Sequence, residues 1–105
     1  MTPELDIEQL RANAASAGAL LKALANPDRL LLLCQLSQGE RNVTELEQLL
    51  GIQQPTLSQQ LAVLRREGLV ATRRKGKQIY YRISSSEALA VITTLYQLFC
   101  ERGQQ

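Results

Sequence analysis

Residues 42–83 read NVTELEQLLGIQQPTLSQQLAVLRREGLVATRRKGKQIYYRI, and this stretch decides the fold. Leu46, Leu49 and Leu50 recur at helical spacing ahead of Gly51 and are expected to face inward. Gly51 suits the left-handed residue that closes a helix. Asn42 with Glu45 and Thr44 with Glu47 both fit a capping box, so two start registers remain open. Pro55 then suits the first turn of a second helix, along which Leu57, Leu61 and Leu64 recur until Gly68. Two short helices, Thr44–Leu50 and Gln54–Glu67, joined by a tight turn make a helix-turn-helix. Around Leu57 stand Gln53, Gln54, Thr56, Ser58, Gln59 and Gln60. Such side chains hydrogen-bond base edges in a major groove, Gln pairing with N6 and N7 of adenine.

Beyond Gly68 the period changes. Val70–Arg74 and Gln78–Ile83 alternate as two strands around Lys75-Gly76-Lys77, with Gly76 at the positive-φ position of a hairpin turn. The hairpin is a wing whose basic end, Arg73, Arg74, Lys75, Lys77 and Gln78, can reach flanking phosphates or a minor groove. A winged helix used only for protein contact would show the same element order.

Outward from this centre lie helices on both sides. Leu5–Leu24 is rich in Leu and Ala, weakened by about 1 kcal/mol at Gly18. Asn26-Pro27-Asp28 supplies a cap, a first-turn proline and an acid at the positive helix end. The run Leu30–Cys34 with Leu36 then predicts a short helix buried nearly all round, ending at Gln38-Gly39. Ser84 and Glu87 are spaced as a capping box for a last helix over about 86–102. Leu89, Ile92, Tyr96 and Phe99 form one apolar stripe there, Val91, Leu95 and Leu98 a second, and Cys100 extends the Ile92–Tyr96 row. A helix this apolar exceeds what one small core can cover, which predicts a two-fold dimer through the first and last helices.

The expected fold is therefore mainly α with a small β-hairpin, in the order α-α-α-α-β-β-α. It is one winged helix-turn-helix domain over 1–105, with dimerisation helices at about 5–24 and 86–102.

Charge follows the same division. Residues 1–52 hold four basic residues and seven acids, whereas residues 53–82 hold seven basic residues and one acid. The local excess of six positive charges is a footprint for a phosphate backbone, or a solvated basic face. Composition excludes other classes. The 105 residues contain no histidine, which removes imidazole acid–base chemistry, Ser-His and Cys-His pairs and imidazole metal sites, so no enzyme is expected. No cofactor or metal site is expected either, since Cys34 and Cys100 lie too far apart in sequence for a zinc-finger spacing. Apolar runs such as Leu30–Cys34 fall far short of the ~20 residues a membrane span needs. The N-terminal residues carry acids and no basic run, unlike an export signal. The expected setting is the cytoplasm, with both thiols free at rest.

Across nearly the whole chain the sequence resembles the ArsR/SmtB family of bacterial winged-helix repressors. The matching segments are Leu21–Leu30 (LKALANPDRL), Val43–Leu46 (VTEL), Leu57–Leu61 (LSQQL), Leu64–Val70 (LRREGLV) and Gln78–Arg82 (QIYYR). The resemblance implies a homodimer that binds double-stranded operator DNA and leaves it when an inducer binds. Gln53 and Pro55 depart from the small polar residues more usual there, and Gln60 stands where His is frequent, so the operator cannot be copied from a relative. Metal-sensing members commonly carry Cys-x-Cys in the third helix, or His, Asp and Glu in the last. This chain has VTELE in the former and only Glu87 and Glu101 in the latter.

What remains is Cys34 and Cys100, whose placement resembles the SqrR/BigR/HlyU/YgaV branch. In that branch persulfides and polysulfides link two thiols through a disulfide or a longer sulfur chain. The residues alone also allow both cysteines to be small buried hydrophobes. Nothing local predicts high reactivity, because Cys34 sits in an apolar run and Cys100 near the negative end of a helix. A soft metal ion or arsenite held by the two thiolates is a further reading, although two ligands make an incomplete site. On the sulfur reading, the bridge ties the second helix to the last and shifts the spacing of the recognition helices. A coupling of ~1–3 kcal/mol would weaken operator binding roughly 5–150-fold.

Overall fold

A computed structural model describes residues 6–101. Leu5 and Arg102, the expected outer limits of the terminal helices, lie outside the described residues. The elements are α1 (Ile7–Leu24), α2 (Pro27–Leu36), β1 (Arg41–Asn42), α3 (Val43–Leu50), α4 (Gln54–Arg66), β2 (Val70–Lys75), β3 (Gln78–Ile83) and α5 (Ser86–Tyr96). A π-helical segment, Gln97–Glu101, continues α5.

The core is built from the leucine spacings. Leu32 and Leu33 of α2, Leu46 of α3, Leu57, Leu61 and Leu64 of α4 and Ile92 of α5 are fully buried. Each such side chain contributes about 1.5–3 kcal/mol on leaving water. No polar or charged side chain is buried among the described residues, so the core carries no desolvated group to compensate. Helix ends use side chains as the sequence suggests. The Oδ1 of Asn26 accepts from the Arg29 N–H at 3.0 Å, with Pro27 in the first turn. The α3 register is settled at Asn42: its Oδ1 accepts from the Glu45 N–H at 2.8 Å, and Glu45 Oε1 accepts from the Asn42 N–H at 2.9 Å.

The structure corrects the expectation in four places. The sheet has three strands in the order β1-β3-β2, because Arg41 and Asn42 pair with Tyr81 and Tyr80. Two residues are too few to show a period-2 pattern. Leu49 and Leu31 are exposed (55% and 46%), so α3 and α2 each leave one leucine in water. The capping box at Ser84 does not form. Ser85 caps α5 instead, its Oγ accepting from the Ala88 N–H at 3.1 Å, while the Ser84 hydroxyl donates to the Gly68 carbonyl at 3.3 Å. Finally, the last helix does not run as regular α-helix to its end. A π-helical segment follows Tyr96, and Cys100 within it is exposed, as Tyr96 one turn earlier in the same row already is.

α1 stands apart from this core. Of its 18 residues only Ala23 and Leu24 are buried. The radius of gyration is 15.9 Å, against about 13 Å for a compact chain of 100 residues. The projecting helix accounts for that excess.

Candidate nucleic-acid interface and thiol pair

α3 closes at Gly51 in the left-handed conformation (φ 68°), and the chain turns through Ile52 into α4. Gln53 is the extended residue before α4, but its side chain makes no capping hydrogen bond, so its amide is uncommitted. Gln53, Gln54, Ser58 and Gln59 are exposed, and Thr56 is half-buried. The Ser58 hydroxyl donates to Gln54 Oε1 at 3.0 Å along one helix face. Gln60 behaves differently from its neighbours: it is half-buried, and its Oε1 accepts from Arg29 Nη1 at 2.8 Å. The polar stretch of α4 therefore splits into an outward group and one inward member.

The wing begins where expected. Val70 pairs with Ile83 and Lys75 with Gln78, leaving Gly76-Lys77 as a two-residue turn. Gly76 has φ 62° and Lys77 does not have positive φ, the pattern of a II′ turn. Arg73, Arg74, Lys75, Lys77 and Gln78 are all exposed. Arg74 Nε donates back to the Gly76 carbonyl at 3.1 Å. Arg73 is held more firmly: its Nε donates to both carboxylate oxygens of Glu40 at 2.8 Å, and its guanidinium lies 5.2 Å from the Tyr80 ring centroid. The hydrogen bond from Arg73, with the charges of Arg73, Arg82 and Lys75, holds the Glu40 carboxyl below its usual range, while Glu40 pushes the Arg73 guanidinium up. Glu40 is thus an acid set into an otherwise basic face.

Sequence reasoning did not single out Glu40, nor the cleft between α4 and the sheet. That cleft, about 490 Å³, is lined by Ser58, Ala62, Arg65, Arg66 and Tyr81. The only signal for it was the basic count of residues 53–82. Arg66 also meets Glu67 at 3.6 Å.

Cys34 belongs to α2, which packs against α5, and Cys100 belongs to the π-helical segment that continues α5. Cys34 is half-buried and Cys100 exposed; both are free. Burial pushes the Cys34 thiol up, and the nearby Cys100 pushes it further. The second effect requires the thiols to lie within electrostatic range of each other in one protomer. Among the described residues no three His, Cys, Asp or Glu side chains gather as a metal site. No described helix is long and apolar enough to cross a membrane.

A third feature is a set of exposed apolar side chains on the first helix and on the last helix with its continuation. Ile7, Leu10 and Leu21 of α1 are exposed, as are Leu89 and Tyr96 of α5 and Leu98 and Phe99 beyond it. Phe99 is 74% exposed, which no solvated monomer gains from.

Comparison with known proteins agrees with this architecture. Residues 26–72 match the model of the bacterial regulatory protein, arsR family. The biofilm growth-associated repressor of Xylella fastidiosa is 48% identical over 103 residues, covering 98% of this chain and 90% of that protein. The crystal structure of the transcriptional repressor BigR from that organism has a TM-score of 0.83 at 49% identity, covering 91% of this chain and 98% of its own. Reduced HlyU from Vibrio cholerae has a TM-score of 0.85 at 45% identity, covering 89% and 98%. More distantly, the homodimeric winged helix-turn-helix DNA-binding domain Mb0332 from Mycobacterium bovis has a TM-score of 0.76 at 32% identity, covering 97% and 93%. With helix-turn-helix, wing and flanking helices all in place, the chain belongs to the arsR family of bacterial regulatory proteins, in the branch that contains BigR and HlyU.

Proposed function

We propose that the chain is a homodimeric operator-binding repressor of the bacterial cytoplasm, released from DNA when Cys34 and Cys100 become covalently joined. The observation that carries the reading is the placement of the two cysteines within one protomer, Cys34 on α2 and Cys100 in the segment that continues α5, the helix α2 packs against, with Cys100 among the groups that push the Cys34 thiol up. The DNA part is supported by the outward Gln53, Gln54, Ser58 and Gln59, with Thr56 at their edge, beside a wing of Arg74, Lys75 and Lys77. Gln59 and Gln54 read base edges; the wing meets phosphates. The dimer is supported by the exposed apolar side chains of α1 and α5 and by the homodimeric relative. A two-fold pair of α4 helices would address half-sites about 34–36 Å apart.

The inducer is a persulfide or polysulfide. In the simplest case a Cys100 thiolate, the more exposed, attacks a sulfane sulfur of hydrogen disulfide, giving Cys100–S–SH and hydrosulfide. The Cys34 thiolate then attacks the Cys100 sulfur, giving the disulfide and a second hydrosulfide. Overall two thiols are oxidised and one S–S bond of the disulfane is reduced to two H₂S. A direct bridge needs Cα atoms within about 7 Å, and inserted sulfur relaxes that limit. The bridge ties α2 to the end of α5, and so alters the α5 packing on which dimer geometry rests.

The test compares parent, Cys34→Ser and Cys100→Ser on a duplex selected by the reduced parent, with and without sodium tetrasulfide. All three should bind when reduced, and only the parent should lose affinity, roughly 5–150-fold. A parent that keeps its affinity, or single variants that respond equally, would end the sulfur reading.

A further inference from the structure

Arg29 joins three helices through one guanidinium. Its Nε donates to the Ala23 carbonyl at 2.5 Å and its Nη2 to the Lys22 carbonyl at 3.3 Å. These oxygens belong to the last turn of α1, the negative end of the helix, where the Lys22 carbonyl also accepts from the Ala25 N–H at 3.3 Å. The remaining Nη1 donates to Gln60 Oε1 on α4 at 2.8 Å. Arg29 itself sits in the first turn of α2, the helix that carries Cys34. Leucine contacts between these helices are non-directional and tolerate sliding. A forked, charge-assisted set of hydrogen bonds does not, and lysine cannot reproduce its geometry.

Arg29 and Cys34 are five residues apart, which places them about 7.5 Å apart along α2 and roughly 140° apart around it. α2 packs against α5, and Arg29 reaches across to α4. A ten-residue helix moves as one body, so displacement at one side is felt at the other. We propose that Arg29 is a positioning residue that sets the pose of the recognition helix by holding Gln60 and the last carbonyls of α1 together, so that movement of α2 at Cys34 reaches the DNA-reading face through the Arg29–Gln60 bond. The idea rests on the DNA and thiol reading above for its consequence, though not for the hold itself. It assigns Gln60 a place in the clip rather than on a base.

The experiment uses Arg29→Lys, Gln60→Met and the double variant in the full chain. Gln60→Met keeps side-chain length, removes the acceptor and lies on the half-exposed side of α4, so folding is preserved if Arg29→Lys proves fragile. On the duplex selected by the reduced parent, each single variant should bind roughly 2- to 30-fold more weakly. The double should be no weaker than the weaker single. The slope of log affinity against log salt should stay at the parent value, because Arg29 touches no phosphate. The affinity ratio between reduced and tetrasulfide-treated protein should fall towards one. Effects that multiply, a slope flattened by about one, or parent-like affinity would each overturn the proposal. Amide hydrogen exchange in the free protein decides the hold without DNA. Both single variants should speed exchange across α4, and unchanged exchange would overturn the clip even if the parent selects no duplex.

Discussion

The two halves of this molecule treat the same residue type in opposite ways. In the helix-turn-helix, Leu46, Leu57, Leu61 and Leu64 are fully buried beneath a polar surface, with Leu49 the exposed exception. In the flanking helices, Leu10, Leu21, Leu89 and Leu98 stand in water, with Phe99 beside them. The first half is nearly finished within one protomer and presents mainly hydrogen-bonding and charged groups. The second is unfinished and presents apolar area. On the proposed reading a polyanion meets the polar half and a second copy covers the apolar one.

The sharpest contrast pairs two chemically identical changes. Leu61→Ala should cost about 2–5 kcal/mol in urea unfolding, because it opens a cavity in a closed core. Leu21→Ala should leave monomer stability near the parent value and act only on association; a loss as large as that at Leu61 would break the comparison. Next in size, Phe99→Glu places a charge among the exposed apolar side chains, and light scattering at micromolar protein should change from dimer to monomer mass. A parent already monomeric there would remove the dimer altogether. On the polar half, Lys75→Ala and Lys77→Ala should weaken binding to all duplexes, each flattening the salt slope by about one. Gln54 and Gln59 substitutions should instead change sequence preference. If both kinds of variant bind like the parent, that half is not a DNA surface.

The smallest effect concerns Glu40. Its carboxyl is held below the usual range by Arg73, so folding favours the ionised form. The contribution is present above the ordinary carboxylate range and lost as pH falls through the lowered value. Unfolding curves of parent and Glu40→Gln should therefore differ most near neutral pH and converge in acid. A gap that widens in acid would contradict the sign.

What could be read in advance depended on distance along the chain. The Asn42–Glu45 box, the Gly76 turn and the leucine rows are local, with signals inside one or two turns. The Asn26 cap and Pro27 were equally legible. Illegible features join distant residues. Arg73 meets Glu40 across 33 positions and Arg29 meets Gln60 across 31, and no spacing rule links them. Gln60 therefore carries no sequence sign of its bond to Arg29. β1 was too short for a pattern, and Ser84, Ser85 and Ser86 offered three equivalent hydroxyls for one cap. The π-helical turn that follows Tyr96 leaves no mark in a periodicity count.

The thiol pair joins the halves, since Cys34 lies in the core layer and Cys100 on the unfinished end. Peptide mapping by mass spectrometry after sodium tetrasulfide reads the thiol bridge itself. A cross-linked peptide joining Cys34 to Cys100 within one protomer is expected, as a loss of two hydrogens or with added sulfur atoms. Its yield should rise in step with the loss of operator binding. Cysteines left unmodified, or linked only between protomers, while binding is lost would contradict this bridge.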